Sequence, residues 1–214
     1  KETATTESDT LSRHDALPIS DGGDGRWAAV LRGARRAYGR VGPTGHAFGE
    51  GPRAEWLCAR FRELELADVR TDEAGNVLAT RPGAQGDGRN VLLTAHIDTI
   101  FPAGTPIEPA LRGTRLAAPG ACDNGAGVAA MLAVAAAMRH AGLTTARDVV
   151  FAGNVGEEGE GDLRGMRHMY REGAENVEAH VVLDGAGEAS AVVQALGSQR
   201  WRVTVRGPGG HAWT

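Results

Sequence analysis

Two apolar runs, residues 90–97 and 147–154, narrow the folds open to this 214-residue chain more than any other feature. Each is nearly continuous where a half-exposed strand would alternate, which predicts strands buried on both faces of a parallel sheet. A parallel pair needs a crossover. The segment opening at about Asn124 supplies one, with Val128, Met131, Leu132 and Ala135 recurring on one helical face. A short helix over 163–171 and a third strand over 181–184 complete the order β–α–β–α–β, an α/β sheet covered by helices on both faces. Ahead of it, helices are expected over 26–38 and 52–64, the second with Ala54, Leu57, Cys58, Phe61 and Leu64 on its apolar stripe. Strands 69–71 and 77–80 flank Glu73-Ala74-Gly75-Asn76, a hairpin signal, and a Gly/Pro-rich loop is expected over 101–120. After Gly187 the pattern turns to alternation over 191–195 and 199–206, which predicts half-exposed antiparallel strands and a second domain beginning near residue 190.

Composition excludes several classes of function. Twenty-three basic against 27 acidic residues give a mild formal charge of −4, and the arginines are scattered without a basic run, so no nucleic-acid partner is expected. The longest apolar stretch, 128–138, falls short of the roughly 20 residues that cross a bilayer, so the chain reads as soluble with no membrane partner. Two cysteines make no disulfide framework. Cys58 lies on the apolar stripe and reads as a buried thiol, while Cys122 sits beside an acid that disfavours its thiolate. The only lysine, Lys1, falls within residues 1–19, which closely resemble the in-frame translation of a common short-read sequencing adapter. We take that segment as non-native and set it outside the fold. An export signal is then not legible, and a cytoplasmic location is the expectation.

Ligands of parallel sheets gather beyond the carboxyl ends of the strands, so the residues at those ends carry the functional information. The first run ends Thr94-Ala95-His96-Ile97-Asp98, and strand alternation turns His96 and Asp98 to one face. That suits a metal-binding imidazole with a carboxylate beside it, or equally a strand-end histidine satisfied by a neighbouring acid. Asp123 opens the crossover helix, where a helix cap is the ordinary use of an aspartate, but the glycines around it allow a close backbone approach that a plain cap does not need. The second run leads into Glu157-Glu158, which is either a solvated acidic loop or a pair that a cation neutralises. Phosphate is excluded there, because Glu157, Glu158 and Glu160 would repel it and no lysine follows. The third strand ends at Asp184. Three strand ends and one intervening loop thus present imidazole or carboxylate in sheet order, a donor set that suits zinc, with carboxylates able to bridge two ions.

The motifs TAHIDTIFP, GACDNGAG, GNVGEEGEG, VVLDGAG and GPGGHAW make specific a likeness that runs from about residue 26 to the end. The chain resembles the di-zinc metallopeptidases of the peptidase T, carboxypeptidase G, aminoacylase, acetylornithine deacetylase and succinyl-diaminopimelate desuccinylase group. The resemblance implies a zinc-exopeptidase-like mixed sheet flanked by helices, with the start of an inserted α+β lid or dimerisation domain. It implies two Zn2+ ions, with Co2+ or Mn2+ as substitutes. His96 and Asp184 would bind one ion and Glu158 the other, with Asp123 bridging both. Asp98 would stand behind His96, and Glu157 would be the general base. His211 would reach an active site, often the partner subunit's, to stabilise the oxyanion. A cis peptide at Asp123–Asn124 is implied as well.

GACDNGAG is also close to zinc aminopeptidases without the inserted domain; the long interval from His96 to Asp123 and the change of pattern after residue 190 favour the lidded group. The implied substrates are short peptides, and GEEGEGDLRG favours a peptidase T-like exopeptidase over an N-acyl-amino-acid amidohydrolase. A homodimer through the lid is implied, and a non-enzymatic dimerising relative is the reading that retention of both Glu157 and Glu158 argues against. The expected divisions are the adapter-like segment 1–19, the catalytic portion 20–189 and the lid from 190 to 214. The group's last zinc-binding histidine follows the lid, so the 214-residue chain by itself is expected to be inactive, poorly folded and one ligand short. His46, His140, His168 and His180 lack such context and are expected to be surface or structural residues.

Overall fold

The computed structural model describes residues 16–18, 49–112, 115–185, 190–199 and 201–209. The expected helix over 26–38 and His46 lie outside the described residues. The described elements are β1 (Ala16–Pro18), α1 (Gly51–Glu63), β2 (Ala67–Thr71), β3 (Val77–Arg81), β4 (Asn90–His96), β5 (Ala110–Arg112), β6 (Arg115–Ala117), α2 (Gly127–His140), β7 (Asp148–Asn154), α3 (Arg164–Gly173) and β8 (Val177–Val182).

The two apolar runs become β4 and β7, and they pair in parallel at the centre of a five-stranded sheet of order β2-β3-β7-β4-β8. Their register sets Ala95 opposite Gly153 and His96 opposite Asn154, so both strands end at the same level. The fully covered position explains the sequence: β7 is flanked by β4 and β3, and no strand face is left for polar alternation. β8 adds in parallel on the other side of β4, while the β2–β3 hairpin adds antiparallel beyond β7.

Helices cover the sheet as their apolar spacing dictates. Leu57, Cys58 and Phe61 of α1 and Val128, Met131, Leu132, Ala135 and Met138 of α2 pack with Leu93, Ala95, Ile97 and Phe151 in one buried cluster. At its heart the rings of Phe61 and Phe151 lie 6.3 Å apart at a tilt of 53°. Met166 and Met169 of α3 close the opposite face over Leu78, Leu92 and Ala152. The 20-residue span Ala121–His140 is apolar enough, by length and composition, to cross a membrane. Its first residues form the Asp123 turn, and its apolar face is spent on the sheet, which is the behaviour of a core helix.

Five expectations need correction. The third strand lies at Val177–Val182 instead of 181–184, because its hydrogen-bonding partner is Asn90–Thr94; Asp184 therefore stands beyond the strand, not at its last position. The helix expected from Asn124 begins at Gly127, preceded by a turn over Ala121–Ala126 that is broken at Asp123 (φ −113°, ψ 99°) and Asn124 (φ −124°, ψ 40°). Among the described residues, those of 191–195 and 199–206 form no strands. Alternation alone leaves backbone groups unpaired, and the side chains of Val193, Leu196, Val203 and Val205 are exposed with no sheet beside them. The loop over 101–120 contains β5 and β6, and Ala16–Pro18, which we set outside the fold, pairs antiparallel with Arg115–Ala117. An open strand edge offers backbone donors and acceptors to any extended segment whatever its side chains, so sequence origin did not predict this contact.

Phe61 has no exposed surface and contacts the most buried strand. Phe61→Ala should cost about 3–5 kcal/mol, read as a lower urea midpoint at unchanged slope.

Candidate metal centre

The polar side chains that the strand ends and the intervening loop promised, His96, Asp98, Asp123, Glu157, Glu158 and Asp184, gather at one edge of the sheet. His96 closes β4 with 3% of its surface exposed, and Asp98, two residues on, has none. Its fixed position comes from hydrogen bonds on both ring nitrogens: Nδ1 lies 3.1 Å from the Asp98 carbonyl oxygen and Nε2 lies 2.8 Å from Asp123 Oδ1. With the Asp98 carbonyl accepting from Nδ1–H, the Nε2 lone pair is the one available for a metal. Asp184 Oδ1 stands 3.9 Å from the same Nε2.

The Glu157–Glu158 loop is held to the first strand by Asp98. The Glu157 amide donates to Asp98 Oδ1 at 3.1 Å and the Glu158 amide to Asp98 Oδ2 at 2.9 Å, so one buried carboxylate fixes two successive peptide units. Burial alone would raise the Asp98 pKa, but the His96 hydrogen bond and these two amides bring it below its ordinary value. The other acids have fewer donors. Glu157 is pushed up by burial and by the charges of Asp184, Asp98 and Asp123, with His96 opposing. Glu158 is pushed up by burial and then by Asp123 and its other acidic neighbours, again against His96. Burial works to neutralise His96, yet hydrogen bonds to Asp123 and Asp98 outweigh it and raise its pKa to about 10.

Two ligand groups result, His96 with Asp123 and Asp184, and His96 with Glu157 and Glu158, each with its donor atoms within 4.8 Å of one another. Donors around one tetrahedral zinc lie about 3.4 Å apart, given bonds of about 2.1 Å. The 2.8 Å His96–Asp123 contact has only to open slightly and the 3.9 Å His96–Asp184 separation to close slightly. The donor chemistry agrees, since one imidazole faces Asp98, Asp123, Glu157, Glu158 and Asp184, a surplus of negative charge that two divalent cations would offset. The residues present therefore fit a divalent metal centre.

The Asp123–Asn124 peptide is cis, as the resemblance implies. Sequence reasoning gave its weight to Asp123 and missed the work of Asn124, which is buried, donates from Nδ2 to the Leu183 carbonyl at 2.8 Å and accepts the Gly127 amide at 2.9 Å. Asn124 thereby ties the Asp123 turn to the residue before Asp184. A Cβ at Gly127 would fall on Asn124 Oδ1 and the Leu183 carbonyl, which is why a glycine stands there. The motif GACDNGAG contained both signals. Of the remaining histidines, His180 joins Thr94 Oγ1 to the Tyr170 hydroxyl at 2.9 Å on either side, and His168 stands 3.8 Å from Asp72. His211 lies outside the described residues.

This combination of a mixed parallel-centred sheet, covering helices and an acidic, single-imidazole cluster at the strand ends defines a zinc-exopeptidase-like domain. The chain belongs to peptidase family M28, whose model matches residues 76–205. No curated protein matches it in sequence. Among solved structures it is similar to the aminopeptidase PepT of Bacillus cereus, with 21% identity, a TM-score of 0.62, and 75% of this chain and 44% of that one covered. A tripeptidase of Staphylococcus aureus matches at 21% identity and a TM-score of 0.59, over 75% of this chain and 44% of the other. The YXEP protein of Bacillus subtilis, described as a dinuclear metal binding peptidase of the M20 family, matches at 19% and 0.57, over 74% and 43%. At these identities the likeness is one of fold, and the chain spans less than half the length of these relatives.

Gly127→Ala should displace Asn124 and separate Asp123 from Asp184. A chelator-competition titration of the chain is expected to show zinc affinity at least about tenfold weaker, with the helix content by circular dichroism retained.

Proposed function

We propose that the whole protein is a metal-dependent exopeptidase that hydrolyses amide bonds of short peptides, with two zinc ions as its cofactors. The observation that carries this reading is the convergence of His96, Asp123, Asp184, Glu157 and Glu158 within ligating distance at the carboxyl edge of parallel strands. His96 and Asp184 would hold one ion and Glu158 the other, with Asp123 shared. Zinc bound there supplies Lewis-acid polarisation of the scissile carbonyl and brings the pKa of a water from near 16 toward about 7.

The rest of the work falls to the chain. Glu157 is the general base: it takes a proton from the attacking water at its carboxylate and returns it to the departing amine. Its environment suits both halves, because half-burial among acids raises its proton affinity, and among the described residues no hydrogen bond ties its carboxylate down. Asp98 keeps the Glu157 backbone and the His96 ring in fixed relation, so the base and the carbonyl-polarising ion meet the substrate in one geometry. His211 is the candidate donor to the oxyanion.

In the whole protein, Glu157→Ala should reduce kcat by about 10²–10⁴-fold while bound zinc by elemental analysis stays at the parent value. Turnover close to the parent would remove Glu157 from the role of base. Di- and tripeptides with a free amino terminus should be cleaved in preference to N-acetyl and N-succinyl amino acids; the reverse preference would make the protein an amidohydrolase of acylated amino acids.

A further inference from the structure

We propose that buried Glu50, paired with the partly exposed Arg164, is a positioning device for the Glu157–Glu158 loop, acting through the backbone of Gly156; this rests on the reading of Glu157 as the base. Glu50 precedes α1 and is 5% exposed. Its Oε1 accepts the Gly156 amide at 3.2 Å and Arg164 Nη2 at 2.8 Å. Together with the two bonds to Asp98, this means that three consecutive amides, those of Gly156, Glu157 and Glu158, all donate to buried carboxylates. The carboxylates come from different elements, one after β4 and one before α1. Each is held in turn by a cationic or ring partner, Asp98 by His96 and Glu50 by Arg164.

Gly156 has φ +61°, and the Arg164 guanidinium occupies the space that a Cβ there would need. The arginine therefore closes over the loop and fixes the carboxylate beneath it. An ordinary capping role does not account for Glu50, because its side chain makes no cap bond to α1 and instead reaches a residue 106 positions along the chain. Stability does not account for it either, since a buried ion pair contributes little net stability beside an apolar pair of the same size. The same helix turn makes a second contact of this kind: Arg53 Nη1 donates at 2.7 Å to the Ile97 carbonyl, between His96 and Asp98. The start of α1 thus holds, from behind, the segments after β4 and after β7, two of those that supply the metal centre.

Two readouts test the device, one of which is independent of catalysis. In the metal-free whole protein, Glu50→Ala should speed hydrogen exchange of the amides in 155–158 by at least about tenfold and leave the β4–β7 amides unchanged. In the whole protein it should lower kcat per bound zinc by about 10–100-fold with KM within about twofold, because a small misplacement of the base is costly. Glu50→Gln retains an oxygen for the Gly156 amide and should recover most of both losses. If Glu50→Ala does not fold, Glu50→Asp, which keeps the charge but cannot reach both partners, should move both readouts in the same direction. Unchanged loop exchange together with parental kcat per zinc, even in a less stable variant, would overturn the proposal. Glu157→Gln run alongside separates the two ideas: if it keeps turnover the base assignment falls, while the exchange measurement still judges the Glu50–Arg164 brace.

Discussion

Asp98 is the point on which the rest of the site depends. A carboxylate with no exposed surface is stable only if its oxygens are satisfied, and this one is satisfied by the two backbone amides that begin the Glu157–Glu158 segment and by the ring of His96. Because β4 and β7 run parallel in level register, the residues after each strand end beside one another, and Asp98 can bridge from the first to the second. The direction of the strands, which apolar burial determines, therefore decides where the acids go. The same edge receives Asp123 from the turn before α2 and Asp184 from the loop after β8, with Asn124 fastening those two segments together.

The arrangement is electrostatically unbalanced by itself. Glu157 and Glu158 have raised pKa values because each is half-buried among other acids, and His96, against the effect of its burial, has its pKa raised by its bonds to Asp123 and Asp98. A protein that sought only stability would not collect five carboxylates around one imidazole at the end of a buried strand pair. Divalent cations would reverse each of these shifts at once, which is the physical support for the proposed metal-dependent hydrolysis. On that proposal the two carboxylates would serve different ends: Glu158 as an anion held by metal, and Glu157, left free, with an affinity for protons.

Much of this was legible in the sequence, for reasons that can be located. The unbroken apolar runs identified β4 and β7 to within a residue at each end, and the spacing of Leu57, Cys58 and Phe61 identified α1. Residues at those strand ends could be named as ligands because alternation and parallel order are local rules. Three things were not legible. The third strand was misplaced because Val181 and Val182 look like a strand by themselves, whereas the register with β4 extends pairing back to Val177. Residues 191–195 and 199–206 carry strand-like alternation, but pairing partners, not alternation, make a strand. Glu50 and Arg164 are individually ordinary polar residues, and only their meeting across 114 positions, in a place that Gly156 vacates, gives them a role.

The central claim is that these acids and His96 share a pair of metal ions, and zinc-edge anomalous diffraction from crystals of the whole protein tests it most directly. The account predicts two peaks about 3.5–4 Å apart, with Asp123 between them, His96 and Asp184 on one, Glu158 on the other and Glu157 on neither. A zinc-loaded protein whose peaks lie away from the carboxyl ends of β4 and β7, or whose Glu157 is itself a ligand, would contradict it.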